Sequence, residues 1–321
     1  MEKIVVEKDN ENLRIDKYLN EYYEDISRNH IKNCLKNGNI LVNGEKVKAG
    51  YNIKAGDEIE VHDIEPEEVD IKPQNIPIDV LYEDNDVLVV NKPKNMVVHP
   101  APGHYEDTLV NAVMYHCKDN LSGINGEIRP GIVHRIDKNT TGALIVCKND
   151  NAHNYIAKQI KEHTIKRRYI GIVHGTFKEL TGRIDKPIGR AKNDRIKMCV
   201  TDKNSKEAIT NYRVLSQNNR FSLVEFILET GRTHQIRVHM LSIGHPLLGD
   251  DLYYIGKKSK KNSYSDSATT LEGVEMIGQC LHAETIGFEN LSKKYIEIHA
   301  PLPEYMETLI KKLGLEEKGE E

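Results

Sequence analysis

The chain has 321 residues, of which 38% are hydrophobic and none is tryptophan, and its formal net charge is −4. That length accommodates two domains with cores of their own, and no run approaches the roughly 18 apolar residues of a membrane-crossing helix. The five cysteines, Cys34, Cys117, Cys147, Cys199 and Cys280, are far apart and make no Cys-x-x-Cys pair, so neither a disulfide framework nor a zinc site is indicated.

The charged start, MEKIVVEKDNENLR, lacks the apolar centre of a signal peptide, and the expected location is the cytoplasm. Leu13, Ile15, Leu19 and Tyr22 then recur as one face of a helix over 13–23. Ser27 is placed to cap a second helix that turns Ile31, Cys34 and Leu35 inward and stops at Gly38. Arg28, Lys32 and Lys36 recur every four residues and share a face of that helix; alone, such a row reads as a solvated basic face. Residues 40–42, the Asn43-Gly44 turn and Val47 read as a hairpin, and a strand over 58–61 follows the turn at Gly56-Asp57. Residues 63–76, with an acidic run and Pro66 and Pro73, read as an extended linker.

Beyond the linker, 80–82 and 87–90 pair around Asp84-Asn85-Asp86. Asn91-Lys92-Pro93 and Val97-Val98-His99-Pro100 follow; His99, beside a proline and without partner ligands, reads as structural. A helix over 108–117 is expected to take Asp107 as its cap. Residues 131–149, GIVHRIDKNTTGALIVCKN, read as strand, polar loop and strand, because β-branched runs bracket the polar tip 134–142. By spacing alone, Asp137 in that tip could simply cap its own turn.

A second helix spans 151–163, and strands cover 166–173, 211–215 and 222–229. A helix begins within GRTHQIRVH at 231–239 and ends by Gly244. Residues 256–270 are rich in Lys, Ser and Asn and have little apolar surface to bury, so they read as a mobile loop. Leu281-His282-Ala283, a strand at 295–298 and a closing helix at 303–313 precede an acidic tail, 314–321.

HRIDKNTTGALIV closely resembles the His-Arg-Leu-Asp-x-x-Thr-Ser-Gly signature of the ribosomal large subunit pseudouridine synthases. Residues 77–302 follow that family's motifs in order, among them Asn-Lys-Pro, the strand opened by Lys166-Arg167-Arg168-Tyr169, GRTHQIRVH and Leu-His-Ala. SRNHIKNCLKNGNILVNG is similar to the S4 RNA-binding domain. The resemblance implies an α+β chain: an S4 domain over 1–62 with two helices and short strands, the linker, and a catalytic domain over 77–313 with a mixed, mostly antiparallel sheet flanked by helices.

It implies one essential aspartate, Asp137, and Arg135 filling the space vacated by a flipped base. Tyr169 would lie against the target base, Arg232 would pair with the aspartate, and Leu281 would lie beside the pocket. Arg28, Lys32 and Lys36 would meet phosphates. The implied partner is RNA, 23S rRNA or a large-subunit precursor, with neither cofactor nor metal; a tRNA substrate and a non-catalytic S4 assembly factor are the alternatives. HRID also has the look of a kinase His-Arg-Asp loop, but Ile136 separates Arg135 from Asp137, and neither a glycine-rich phosphate loop nor Asp-Phe-Gly is present. The net negative charge counts against a uniformly basic RNA binder yet leaves room for one basic face.

Overall fold

The computed structural model describes residues 2–23, 26, 28–62, 71–100, 104–118, 120–124, 129–192, 194, 196–254 and 269–316. The expected cap Ser27, the first part of the linker, nearly all of the Lys/Ser-rich stretch and the end of the acidic tail lie outside them. By its internal contacts the chain divides into two units, Met1–Asp70 and Ile71–Glu321.

In the first unit, strands β1 (Glu2–Val5), β2 (Ile40–Val42) and β3 (Glu58–Val61) form an antiparallel sheet in the order β1-β3-β2. Helices α1 (Ile15–Tyr22) and α2 (Arg28–Asn37) bury Ile15, Leu19, Ile31 and Leu35 in a core with Ile40 and Ile59. The turn at Asn43 and Gly44 has positive φ at both residues, as a tight primed turn requires. The expected hairpin arm at Val47 is absent: after one bridge, Val42 to Glu45, the chain leaves, and β2 pairs with β3 instead.

The second unit is built on a nine-stranded sheet. Its strands are β4 (Val80–Glu83), β5 (Val87–Lys92), β6 (Thr141–Cys147), β7 (Lys166–His174), β8 (Thr181–Asp185), β12 (Ile209–Gln217), β13 (Phe221–Leu228), β16 (Leu281–Glu289) and β17 (Tyr295–His299). Short strands β9 (Ile188–Arg190), β10 (Met198–Val200) and β11 (Ser205–Lys206) make a separate ribbon, and β14 (Thr269–Leu271) pairs with β15 (Val274–Met276). The large sheet runs β4-β5-β6-β16-β7-β13-β12-β8, with β17 on β16, and only the β6–β16 pairing is parallel. Helices α3 (Leu109–Cys117), α4 (Asp150–Lys161), α5 (Gln235–Ser242) and α6 (Glu304–Lys312) accompany it. β6, TGALIVC, is buried at every position, as a strand with neighbours on both edges and packing on both faces should be.

Three local expectations are corrected. Residues 132–133 are not a strand. Ile132 makes one bridge to Val146 and the Cys147 N–H donates to the Gly131 carbonyl, but the pairing goes no further, because the Ile145 N–H donates to the His134 ring and not to a backbone carbonyl. Thr108, not Asp107, caps α3: its hydroxyl accepts from the Asn111 N–H, and its own N–H donates to Asn111 Oδ1 at 3.0 Å. Asp107 lies one residue too early, with φ 57° and its N–H donating to Gln74 Oε1. Finally, residues 71–76 are packed, not free. Ile71 is buried, the Gln74 N–H donates to the Asn111 carbonyl, and Asn111 Nδ2 donates to the Lys72 carbonyl.

Candidate active site

The loop 133–140 delivers Asp137 to the N-terminal end of β6, and nearly every polar group around it has a tether. The Thr140 N–H closes a turn onto the Asp137 carbonyl at 3.0 Å. Gln279 Nε2 donates to Thr140 Oγ1, and the Thr141 hydroxyl bonds His282 Nδ1 at 2.8 Å. His134 Nε2 accepts from the Ile145 N–H at 3.0 Å, a role that needs a neutral ring, and burial pushes this histidine down to about 3. Lys92, fully buried, donates from Nζ to the carbonyls of Pro93, Met96 and Lys138 at 2.7, 2.9 and 3.0 Å, tying β5 to the residue after Asp137. Burial lowers its ammonium to about 7, opposed by the Asp137 charge.

Gly142 follows with φ +111°, and a Cβ there would stand 2.2 Å from the Ala283 carbonyl oxygen. Only glycine lets β6 lie this close to β16 while keeping that backbone angle.

The Asp137 carboxylate faces a cleft of about 460 Å³. Arg237, on the first turn of α5, donates from Nη1 to its Oδ2 at 3.0 Å. The same guanidinium grips Asp250 through Nε and Nη2 at 2.7 and 2.8 Å, so one buried arginine bridges two carboxylates. His234 stands on the other side, with Nε2 at 3.9 Å from Asp137 Oδ1. Burial alone would raise the Asp137 carboxyl, but His234, Arg237 and Arg135 outweigh it and hold the group below its ordinary value. Burial lowers His234 itself, so its ring is neutral at neutral pH and its charge adds to the hold on Asp137 only in acid, once the ring is protonated. Arg237 is displaced upward, because its contacts with Asp250 and Asp137 overcome its burial.

All five residues expected in the catalytic domain line this one cleft: Arg135, Asp137, Tyr169, Arg232 and Leu281. Tyr169 lies on β7 between Phe226 and Ala283, and burial pushes its phenol up to about 12, so it stays protonated. Leu281, buried, opens β16. Arg135 is exposed, with Nη1 3.4 Å from Nε2 of the buried His99. Arg232 is the correction, since it does not pair with Asp137. α5 begins at Gln235, four residues after the expected start, which leaves Arg232 on the approach to the helix with Nε donating to the Glu207 carbonyl at 2.8 Å.

Arg237 takes the pairing role, and with Asp250, His234 and Tyr253 it forms the part of the site that sequence reading missed. The available signal was the second arginine of GRTHQIRVH: one turn into a helix it points inward, where a guanidinium needs carboxylates.

The expected S4 cations lie in the first unit. Arg28 donates through Nε and Nη2 to the fully buried Asp16 at 3.1 and 3.0 Å, and Lys32 Nζ is 3.9 Å from the same carboxylate. Burial would raise Asp16, but Arg14 and Arg28 draw it down to about 2. Lys36 is exposed.

The cleft thus offers an ionised carboxylate with one oxygen fixed and one open, a protonated tyrosine, and cations at Arg135, Lys161, Arg167 and Arg232. Such a site can take a proton from, or attack, a carbon of a polyanionic substrate. Among the described residues, no helix is long and apolar enough to cross a membrane.

Residues 86–242 match the RNA pseudouridylate synthase family, and residues 13–59 match the S4 domain. An RNA pseudouridine synthase of Bacillus subtilis, YlyB, is 48% identical over 94% of each chain. Ribosomal large subunit pseudouridine synthase D of Zymomonas mobilis is 47% identical over 77% of this chain and 76% of its own. The enzyme of that name from Haemophilus ducreyi is 37% identical over 94% and 90%. Among solved structures, human RNA pseudouridylate synthase domain containing 1 shares the fold, with a TM-score of 0.54 at 23% identity over 80% of this chain and all of that one.

Proposed function

Since the chain belongs to the RNA pseudouridylate synthase family and is an isomerase acting on uridine in RNA, we propose that Asp137 is its catalytic carboxylate and large-subunit ribosomal RNA its substrate. The conversion breaks the bond from ribose C1′ to uracil N1, turns the base and joins C1′ to C5. The hydrogen leaves C5, N1 gains one, and nothing is added or oxidised. The detached base is itself the returning nucleophile, so no water needs activation and one carboxylate suffices where a glycosidase needs two.

The observation that carries this reading is the division of labour at Asp137. Arg237 fixes Oδ2, while Oδ1 remains open to the cleft beside Tyr169. Tyr169 offers a face on which the extruded uracil stacks, a contact worth roughly 1–3 kcal/mol. Arg135, exposed at the rim, is suited to the place the base vacates. Arg232 and Leu281 line the same space.

The ribosomal substrate is supported by the relatives named for the large subunit and by the S4 unit, whose Arg28, Lys32 and Lys36 we assign to phosphate contacts. A substrate of that kind is met in the cytoplasm.

Large-subunit rRNA fragments tritiated at uridine C5 test both parts, because isomerisation releases that hydrogen to water. The native enzyme should release tritium from a defined stem-loop. Asp137→Asn should release none while its RNA affinity stays within about twofold, since affinity comes mainly from phosphates. Turnover by the Asn variant above a trace would remove Asp137 from the chemistry.

A further inference from the structure

His234 is held in an unusual way for a residue at the start of a helix. Its backbone is left-handed, φ 57° and ψ 23°, and its ring stands edge-on to Tyr253 with Nδ1 2.7 Å from the tyrosine oxygen. The Tyr253 oxygen already accepts the Met198 N–H at 2.9 Å. Among the described residues, the acceptor left for its hydroxyl hydrogen is His234 Nδ1. A neutral imidazole that accepts at Nδ1 carries its hydrogen on Nε2. The tyrosine therefore fixes the tautomer, and an N–H at Nε2 stands 3.9 Å from Asp137 Oδ1.

That spacing is too long for a direct hydrogen bond and suits one oxygen held between the two. An oxygen about 2.8 Å from each would subtend roughly 90°. It would have to accept from Nε2–H and donate to Oδ1. The ribose 2′-hydroxyl does both, whereas a uracil carbonyl only accepts. It also sits on C2′, next to C1′, so seating it here brings both carbons to the reacting carboxylate.

We propose that His234 recognises the ribose of the target uridine, its Nε2–H and Asp137 Oδ1 together holding the 2′-hydroxyl, with Tyr253 as the positioning residue that sets the histidine tautomer. This inference rests on the assignment of Asp137 and adds the device by which the site distinguishes RNA from DNA at the reacting nucleotide.

The test uses the full chain and two copies of a substrate stem-loop that differ only in a 2′-deoxyuridine at the target. Affinities are measured by competition in the inactive Asp137→Asn background, which keeps an amide at the same place. His234→Asn tolerates the left-handed backbone but falls short of the Nε2 position, whereas His234→Gln restores an N–H there. Removing the 2′-hydroxyl should weaken binding about tenfold with His234 present, less than about threefold with Asn, and again about tenfold with Gln. Equal penalties in the His and Asn proteins overturn the proposal.

Nitrogen NMR of the native protein gives a second reading. His234 should carry its hydrogen on Nε2, and Tyr253→Phe should release a mixture of tautomers; a hydrogen found on Nδ1 in the native protein overturns the proposal as well. An Asp137→Asn protein that still turns over defeats both this inference and the catalytic assignment. An inactive one with equal penalties defeats this inference alone.

Discussion

Arg237 holds one oxygen of Asp137, the carboxylate proposed to react, and leaves the other open to the cleft. Because that guanidinium bridges two carboxylates, a lysine cannot replace it: one ammonium reaches Asp137 or Asp250 but lacks the planar fork for both. Arg237→Lys should lower kcat/KM about 100-fold, the scale expected when a reacting group is displaced by about 1 Å. The pH profile separates this from a general loss of fold. Asp137 is held below its ordinary 3.8, so the stabilisation from its ion pair is complete above that value and is lost as pH falls through the lower folded one. The acid limb of kcat/KM should therefore lie below the usual carboxylate range in the native enzyme and move upward in Arg237→Lys. An acid limb that stays put would separate Arg237 from the ionisation of Asp137. The place of Asp137 and Tyr169 in one cleft was legible because each sits in a motif that resembles the family's, on a strand or its adjoining loop. Arg237 was not, because Arg232 in the same motif is equally basic and only the true helix start tells them apart.

The elements that carry the site differ in how plainly their sequences announce them. β6 reads directly from its apolar run, whereas β16, equally central, hides behind His282 and Thr285, polar residues that are buried because they have partners. α5 is obscured for the same reason: Gln235, Arg237 and His239 all face inward, so no apolar stripe marks its buried side. Gln235 bonds Thr230, Ile209 and Thr210, and His239 bonds Thr210 and Lys186, so the polarity is satisfied inside the fold. At the junction of β6 and β16, Gly142 gives the sharpest test. An added methyl would meet the Ala283 carbonyl, part of a paired backbone with little room to yield. Gly142→Ala should destabilise the second unit by about 3 kcal/mol, from backbone strain and displaced pairing together. Thermal unfolding should then fall by roughly 6–12 °C, at about 2–4 °C per kcal/mol for a domain this size. A shift below about 2 °C would show that the strands can part without loss.

For the molecule as a whole, the boundary between the two units matters more than the charge total. A net charge of −4 coexists with a helix carrying Arg28, Lys32 and Lys36 and with a cleft lined by cations. The proline and charge pattern suggested a linker over 63–76, yet residues 71–76 belong to the second unit. Nothing in their composition foretells that α3 supplies Asn111 as both donor and acceptor for them. Two truncations separate these readings. A chain beginning at Ile71 keeps its buried side chain and the bonds to Asn111 and Asp107, whereas one beginning at Pro77 loses the burial of Ile71 and leaves Asn111 short of partners. The shorter chain should be less stable by about 2–4 kcal/mol, combining a buried aliphatic side chain with two or three hydrogen bonds. Urea unfolding of both measures this directly, and equal midpoints would return 71–76 to the linker. The chain beginning at Ile71 also isolates the contribution of the S4 unit: single-turnover isomerisation of a short stem-loop should persist at saturating protein, while affinity falls. Its log–log dependence on salt should flatten by about 0.7–0.9 for each phosphate that Arg28, Lys32 and Lys36 no longer neutralise. If the slope did not change, those three cations would be neutralised within their own unit, by Asp16 and solvent, and the RNA grip would have to lie around the cleft.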